Sequence, residues 1–374
     1  MQIFPTLLMP QYHGDKESFI EVLNRLQCYA QHLAKDSNWQ YPKLVIVISQ
    51  SRSTIFRFQV NDYPNLDVLM MSRFAGNIFS FSIHTICLLR RMKIRPRILI
   101  AGDPWKSFIS CWLVSLFVQD SRNIQYQVHG DPFTNSENIV VKLTKRTIFY
   151  FAIRKADSIR VVSEHLKKFI SEKNKYYAEK TFIAPIPIQI TDIVGKELTL
   201  NGLNIGYVGR LHPERGTDRL IEILELLYLK NRNFYVKVIG DGPDRSKLVR
   251  AVSSSPFANL VEFLGRIPNS EIAESYKKLN CLLVCAPEEG YGLSIREAVT
   301  QGVFVVALEN TGTLNAHKVF PESISIFKTN EEAAALLQAL TNKRISSRVS
   351  ENNYLTQKEI DEKSISVLVN SWIY

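Results

Sequence analysis

The chain has 374 residues with 45% hydrophobic and 22% charged content, ordinary values for a folded protein and enough for two domains with separate cores. Charge is divided unevenly: residues 1–190 hold 25 Lys and Arg against 14 Asp and Glu, a net of +11, whereas the remainder holds 21 against 22. No run reaches the ~18 apolar residues of a membrane span, and the start carries no export signal, so a cytosolic chain is expected. The five cysteines (28, 87, 111, 281 and 285) are odd in number and scattered, and read as buried, reduced thiols rather than a disulfide frame or zinc site.

In chain order, Ile3 to Met9 reads as a first strand. Pro10 to Asp15 is a loop, and Ser18 to about Leu33 a helix. Leu44 to Ile48 is a buried strand, followed by a weaker one at Val68 to Met70 and a helix from Ile78 to Met92. A strand at Ile98 to Ala101, a helix from Trp105 to Val118 and a strand at Ile124 to Val128 continue the alternation, which points to a doubly wound parallel sheet. His129 follows the last of these at a strand-end turn. Val140 to Ala156 interleaves Lys142, Lys145, Arg146, Arg154 and Lys155 with aromatic residues, a pattern that suits either an anionic membrane face or an ordinary amphipathic helix. Ala156 to Ser163 is a further strand, with Ser163 capping a helix from Glu164 to Ser171.

Ala184-Pro185-Ile186-Pro187-Ile188 can propagate neither helix nor central strand, so the linker is placed between Pro185 and Gly202. The pattern then restarts. Strands are expected at Asn204 to Val208, Phe234 to Ile239, Val261 to Leu264, Cys281 to Cys285 and Val303 to Leu308. Helices are expected at Thr217 to Leu229, Asp244 to Val252, Ser270 to Leu279, from Leu293, and at Asn330 to Leu340. Glu359 to Tyr374 reads as a final amphipathic helix. The domains are thus 1–190 and 191–355, with the segment 356–374 returning to the first.

Two constellations carry chemistry. In Glu289-Gly290-Tyr291-Gly292-Leu293, a glycine-rich turn leads from a strand into a helix start, where free N–H groups favour an anion. Acids beside such a site serve hydroxyls instead: Glu289 and Glu297 would flank a phosphate with polyol contacts, as a nucleotide sugar requires. Taken alone, Glu297 also reads as a solvated helix residue. The second is Gly209-Arg210 with Arg215 five positions on, a flexible backbone and two cations suited to a diphosphate.

With Val238-Ile239-Gly240-Asp241-Gly242-Pro243 and Val261 to Gly265 between them, these motifs resemble the retaining family 4 glycosyltransferases over about Leu203 to Val306. The resemblance implies the α/β GT-B fold, two Rossmann-like domains facing each other across a cleft. It implies Glu289 on donor-sugar hydroxyls, Glu297 on the ribose, Arg210 and Arg215 on the diphosphate, and Gly290 to Leu293 offering amides. His129 would line the sugar site, and Arg266 lies where the base is read. Transfer would retain the anomeric configuration, the leaving phosphate taking the acceptor's proton, with no cofactor or metal ion.

Departures from the family are an arginine at 215 for the usual lysine, only Gly14 in the first loop, Asn310-Thr311-Gly312-Thr313 for a Gly-Gly turn, and no Asn-Gly after Pro185. The expected enzyme moves a hexose from a UDP- or GDP-sugar to a lipid-linked or cell-surface glycan. Its basic half would face an anionic membrane surface, and no nucleic-acid module is present. A nucleotide-sugar epimerase of the same fold and a non-catalytic anion or nucleic-acid binder are the alternatives.

Overall fold

The computed structural model describes residues 6–11, 29, 31–32, 43–50, 56–60, 63–72, 78–118, 123–130, 139–188, 202–341 and 347–373. Of the loop expected at Pro10 to Asp15, Pro10 and Gln11 belong to the first strand instead, and Tyr12 to Asp15 with Gly14 lie outside the described residues, as do Cys28, the linker stretch Lys196 to Asn201 and nearly all of the helix expected at Ser18 to Leu33. The chain divides into two compact units, Met1–Pro187 with Glu362–Tyr374, and Ile188–Asp361.

The first unit holds β1 (Thr6–Gln11), β2 (Lys43–Gln50), β3 (Phe56–Val60), β4 (Tyr63–Ser72), β5 (Pro96–Ala101), β6 (Asn123–Val128), β7 (Ser158–Val161) and β8 (Thr181–Ile183). They form one sheet in the order β3-β4-β2-β1-β5-β6-β7-β8. Every neighbouring pair is parallel except β3 with β4, which form an antiparallel pair at one edge. That strand was not expected, although Phe-Arg-Phe-Gln-Val alternates with period two. The one-turn helix Lys175–Glu179 and β8 were also missed; Asn174 caps the helix by accepting the Tyr176 N–H at 2.9 Å. The expected cap at Ser163 is present, its Oγ accepting the Leu166 N–H at 3.4 Å. Asp103 does the same for the helix Lys106–Phe117, its carboxylate accepting the amides of Trp105, Lys106 and Ser107 at 2.8–2.9 Å.

The second unit holds β9 (Leu203–Val208), β10 (Phe234–Ile239), β11 (Val261–Gly265), β12 (Cys281–Val284), β13 (Phe304–Leu308) and β14 (Ile324–Phe327), all parallel, in the order β11-β10-β9-β12-β13-β14. Both faces are covered. Cys281, Leu283, Val306 and Leu308 pack into one core, while Leu282, Val284, Val305 and Ala307 pack into the other. Double burial explains why these strands read as unbroken apolar runs. Counted within the unit, the order is 3-2-1-4-5-6, which reverses between β9 and β12. Ligands of open α/β sheets bind outside the strand ends at such a reversal. The ladder there covers two residue pairs, Cys281 with Ile205 and Leu282 with Gly206, so past Gly206 it does not bridge the strand ends.

One helix and the strand after it were not expected, and two expectations need correction. The helix is Thr311–Val319, which starts in the segment Asn310-Thr311-Gly312-Thr313 and leads to β14. Asn310 and Thr313 form a reciprocal capping box, each side chain accepting the other's N–H at 2.9–3.0 Å. The final helix runs Ser347–Ile373 rather than from Glu359; its early buried positions Ser350, Asn353 and Gln357 are polar, which hid the periodicity. Cys87 is exposed, whereas Cys111, Cys281 and Cys285 are buried, and burial pushes the Cys285 thiol up to about 12.

Candidate active site

The turn after β12 carries Glu289, whose two oxygens are both engaged. Oε2 accepts from Arg215 Nη1 at 2.8 Å, and Oε1 accepts the N–H groups of Gly290 at 3.1 Å and Gly292 at 3.3 Å. Arg215 ends the short turn Pro213–Arg215 that follows β9, so this ion pair ties together the strand ends on either side of the sheet's reversal. Glu289 keeps only 12% of its side chain exposed, against 40% for Arg215, and strongly desolvated charge-assisted bonds are the strong ones.

Two glycines permit this approach. A Cβ on Gly216, which takes a φ of 70°, would stand 2.1 Å from the Cys285 carbonyl oxygen, and one on Gly312 would stand 2.1 Å from that of Glu289. Sequence reasoning did not assign a role to either. Asn310 adds a donor, its Nδ2 reaching the Ala286 carbonyl at 3.0 Å. Tyr207 donates its hydroxyl to the Arg215 carbonyl at 2.8 Å and fixes that turn from below.

The two arginines face different partners. Arg210 is exposed and pairs with Glu214 at 3.0 Å, while Arg215 is held by Glu289. Glu214 Oε2 also lies 3.4 Å from His212 Nδ1. Gly209 stands at the end of β9 with a φ of 145°, and a Cβ there would meet nothing within 4 Å. The strand end is open. Arg266 is exposed just past β11, the edge strand on the β10 side.

Gly292 takes a φ of 75° and begins the helix Leu293–Thr300, whose first residue Leu293 is half-buried. One turn on, Glu297 accepts the Tyr276 hydroxyl at 3.1 Å. Burial pushes its carboxyl up to about 7, the Tyr276 bond acting in the opposite direction. Tyr291 is buried beneath Arg296, so its ring is part of the core and its backbone is what faces the turn. Arg296 itself was missed, because a charge on a helix reads as solvated. In the first unit, His129 follows β6 with Nε2 3.0 Å from the Gly102 carbonyl, which fixes the tautomer protonated at Nε2.

Residues 193–356, less than half of the chain, match the family described as glycosyl transferases group 1. The match lies within the second unit. Over 103 residues the chain is 34% identical to a 2-deoxystreptamine glucosyltransferase of Streptomyces kanamyceticus, covering 28% of this chain and 27% of that protein. Over 177 residues it is 29% identical to an uncharacterized glycosyltransferase of Methanocaldococcus jannaschii, covering 46% of each. The chain therefore spans less than half the length of either relative. The solved structure of Anabaena HepE in complex with UDP-glucose superposes with a TM-score of 0.70 at 15% identity, covering 98% of this chain and 99% of that one. That likeness shows the fold, the GT-B architecture of two Rossmann-like units. Within the matched region the Arg215–Glu289 pair lies at the strand-order reversal of a sheet whose glycine turns keep side chains out.

Proposed function

We propose that the protein is a glycosyltransferase that moves a hexose from a UDP- or GDP-sugar to a lipid-linked or cell-surface glycan, with retention at the anomeric carbon. The observation that carries this reading is the Arg215–Glu289 pair across the ends of β9 and β12. Glu289 engages the Arg215 guanidinium with Oε2 and the amides of Gly290 and Gly292 with Oε1. A bound pyrophosphate takes over Arg215 and draws in Arg210, and sugar hydroxyls donate to the Oε2 that Arg215 gives up while Oε1 stays on the two amides. Glu297 accepts from the ribose. The bond from the anomeric carbon to the diphosphate breaks as the acceptor oxygen bonds on the same face, and the acceptor's proton passes to the departing phosphate oxygen. Fixed cations and helix-start amides meet the charge that develops there, so the reading calls for no metal ion.

A screen of UDP- and GDP-sugars that follows nucleoside diphosphate release, with and without a membrane extract as acceptor, tests this directly. Release that depends on the extract is expected. Product sugar formed without any acceptor would mark an epimerase instead. Glu289→Ala should cost about 10²–10³ in kcat with the fold intact; near-normal turnover would overturn the site.

The reading places the enzyme on the anionic inner face of the cytoplasmic membrane. Among the described residues no helix is long and apolar enough to cross a membrane. The helix Ile139–Lys155 exposes Ile139, Val140 and Leu143, and a groove of about 270 Å³ beside it is lined by Lys142, Arg146 and Lys173 among others. Apolar side chains beside cations suit a surface of anionic lipid. Binding to anionic but not neutral liposomes at low salt is expected; equal indifference to both would remove the membrane from the proposal.

A further inference from the structure

Arg296 sits inside the Glu289–Glu297 segment yet is only 4% exposed. Its guanidinium lies 4.0 Å from the centre of the Tyr291 ring, Nε donates to the Tyr291 carbonyl at 3.2 Å, and Nη1 donates to Gln357 Oε1 at 3.0 Å. Gln357 Nε2 in turn donates to Asp361 Oδ1 at 2.7 Å and to the Tyr291 hydroxyl at 3.4 Å, and Asp361 Oδ2 accepts the Ile188 N–H at 3.2 Å. Burying a guanidinium opposes its charged form, so its donors are committed to protein acceptors, and those acceptors are held in turn.

The geometry concerns one peptide unit. A peptide is planar, so fixing the direction of its C=O fixes that of its N–H. The carbonyl that Arg296 holds is that of Tyr291, and the N–H of the same unit is that of Gly292, which donates to Glu289 Oε1. We propose that Arg296 is a positioning residue for Glu289: it holds one side of the Tyr291–Gly292 peptide so that the other side aims its N–H at the carboxylate. Gln357 and Asp361 hold the guanidinium in place. The inference deepens the glycosyl-transfer reading and rests on it for its catalytic consequence, though not for its structural one.

The test uses the full chain and three variants, Arg296→Met, Arg296→Lys and Gln357→Leu. Hydrogen exchange of the peptide covering residues 286–293, with no ligand added, is expected to speed up about tenfold in Arg296→Met, less in Gln357→Leu, and not in β9. Arg296→Lys keeps the charge but not the fork, and is expected to stay near Arg296→Met. With the active UDP- or GDP-sugar, kcat should fall by about 10- to 100-fold while affinity for the free nucleoside diphosphate changes less than about twofold, because the Glu289 carboxylate that meets the sugar is displaced and the arginine contacts to phosphate are not. Unchanged exchange in folded Arg296→Met and in Gln357→Leu would overturn the positioning role whatever the donor. A wild-type protein that binds neither UDP nor GDP would overturn the transfer reading while the exchange result still decides the role of Arg296. Should Arg296→Met fail to fold, Gln357→Leu carries the same measurement.

Discussion

Among the described residues two arginines are buried, Arg160 in the first unit and Arg296 in the second, and they do different work with the same functional group. Arg160 spends its donors on chain closure: Nε on the Ala184 carbonyl at 2.8 Å, Nη2 on that of Pro185 at 2.9 Å, and Nη1 on Gln127 Oε1 at 3.1 Å. Gln127 continues to Gln125, which accepts the Trp372 indole N–H at 2.8 Å. That network fastens the last residues of the first unit's continuous segment and its returning helix. Arg296 instead holds a peptide of the turn that carries Glu289. The difference teaches that a buried guanidinium is not a signature of function; what its acceptors belong to decides.

The largest effect should come from breaking the first network. Arg160→Met leaves two backbone carbonyls and the Gln127 side-chain oxygen without their guanidinium partner, at a cost of about 3–5 kcal/mol to the first unit. Thermal unfolding should show that loss. Affinity for the nucleoside diphosphate, measured below the first transition, should stay as in the wild type. A fall in affinity with no fall in stability would erase the contrast between the two arginines.

A smaller effect is expected where the second network's turn meets the helix Thr311–Val319. A Cβ at Gly312 would stand 2.1 Å from the Glu289 carbonyl oxygen and 2.7 Å from its carbonyl carbon, so backbone must move. Gly312→Ala should cost about 1–3 kcal/mol in stability. Because the displaced atoms belong to Glu289, transfer should drop by about 10²-fold. Calorimetry and the donor assay on one preparation separate the two, and a variant that loses stability alone would show that the turn relaxes without moving its carboxylate.

The same contrast explains what could be read in the sequence. Strands β9 to β13 were legible because both faces are buried and the residues announce it, and the glycine turns after them were legible because few residue types fit there. Helix Thr311–Val319 was not: Asn310 and Gly312 look like a turn, though Asn-x-x-Thr is also a capping signal. The acids and cations proposed for the site were picked out as residue types in the turns after strands and the helix start beyond, but their pairing was not. Arg215 meets Glu289 across 74 positions and Arg296 meets Gln357 across 61, contacts that only the folded sheet and the returning helix create. Local patterning sets elements; partner choice among like side chains is tertiary.

The smallest expected effect sharpens the comparison through pH. Asp361 lies among Gln357, the Ile188 N–H, Tyr291 and Arg296, and burial pushes its carboxyl up to about 7 despite the hydrogen bonds and the guanidinium charge that pull it down. Below about pH 4 folded and unfolded chains both hold that proton. Between about pH 4 and 7 the folded chain holds it and the unfolded chain has lost it, so stability falls as pH rises, and above about 7 the loss is complete. Glu297, also raised to about 7, adds a parallel loss, so the wild type alone cannot isolate Asp361. Asp361→Asn keeps the neutral shape at every pH. Relative to the wild type it should gain on the order of 2 kcal/mol between pH 5 and pH 8, read from the urea midpoint of the second unit. The Ala184 and Pro185 carbonyls and Gln127 Oε1 that Arg160 holds do not titrate, and the part of the Arg160→Met penalty that comes from losing them should be the same at both pH values. Parallel pH profiles for Asp361→Asn and the wild type would mean that the Arg296 network holds its acid ionised throughout that range.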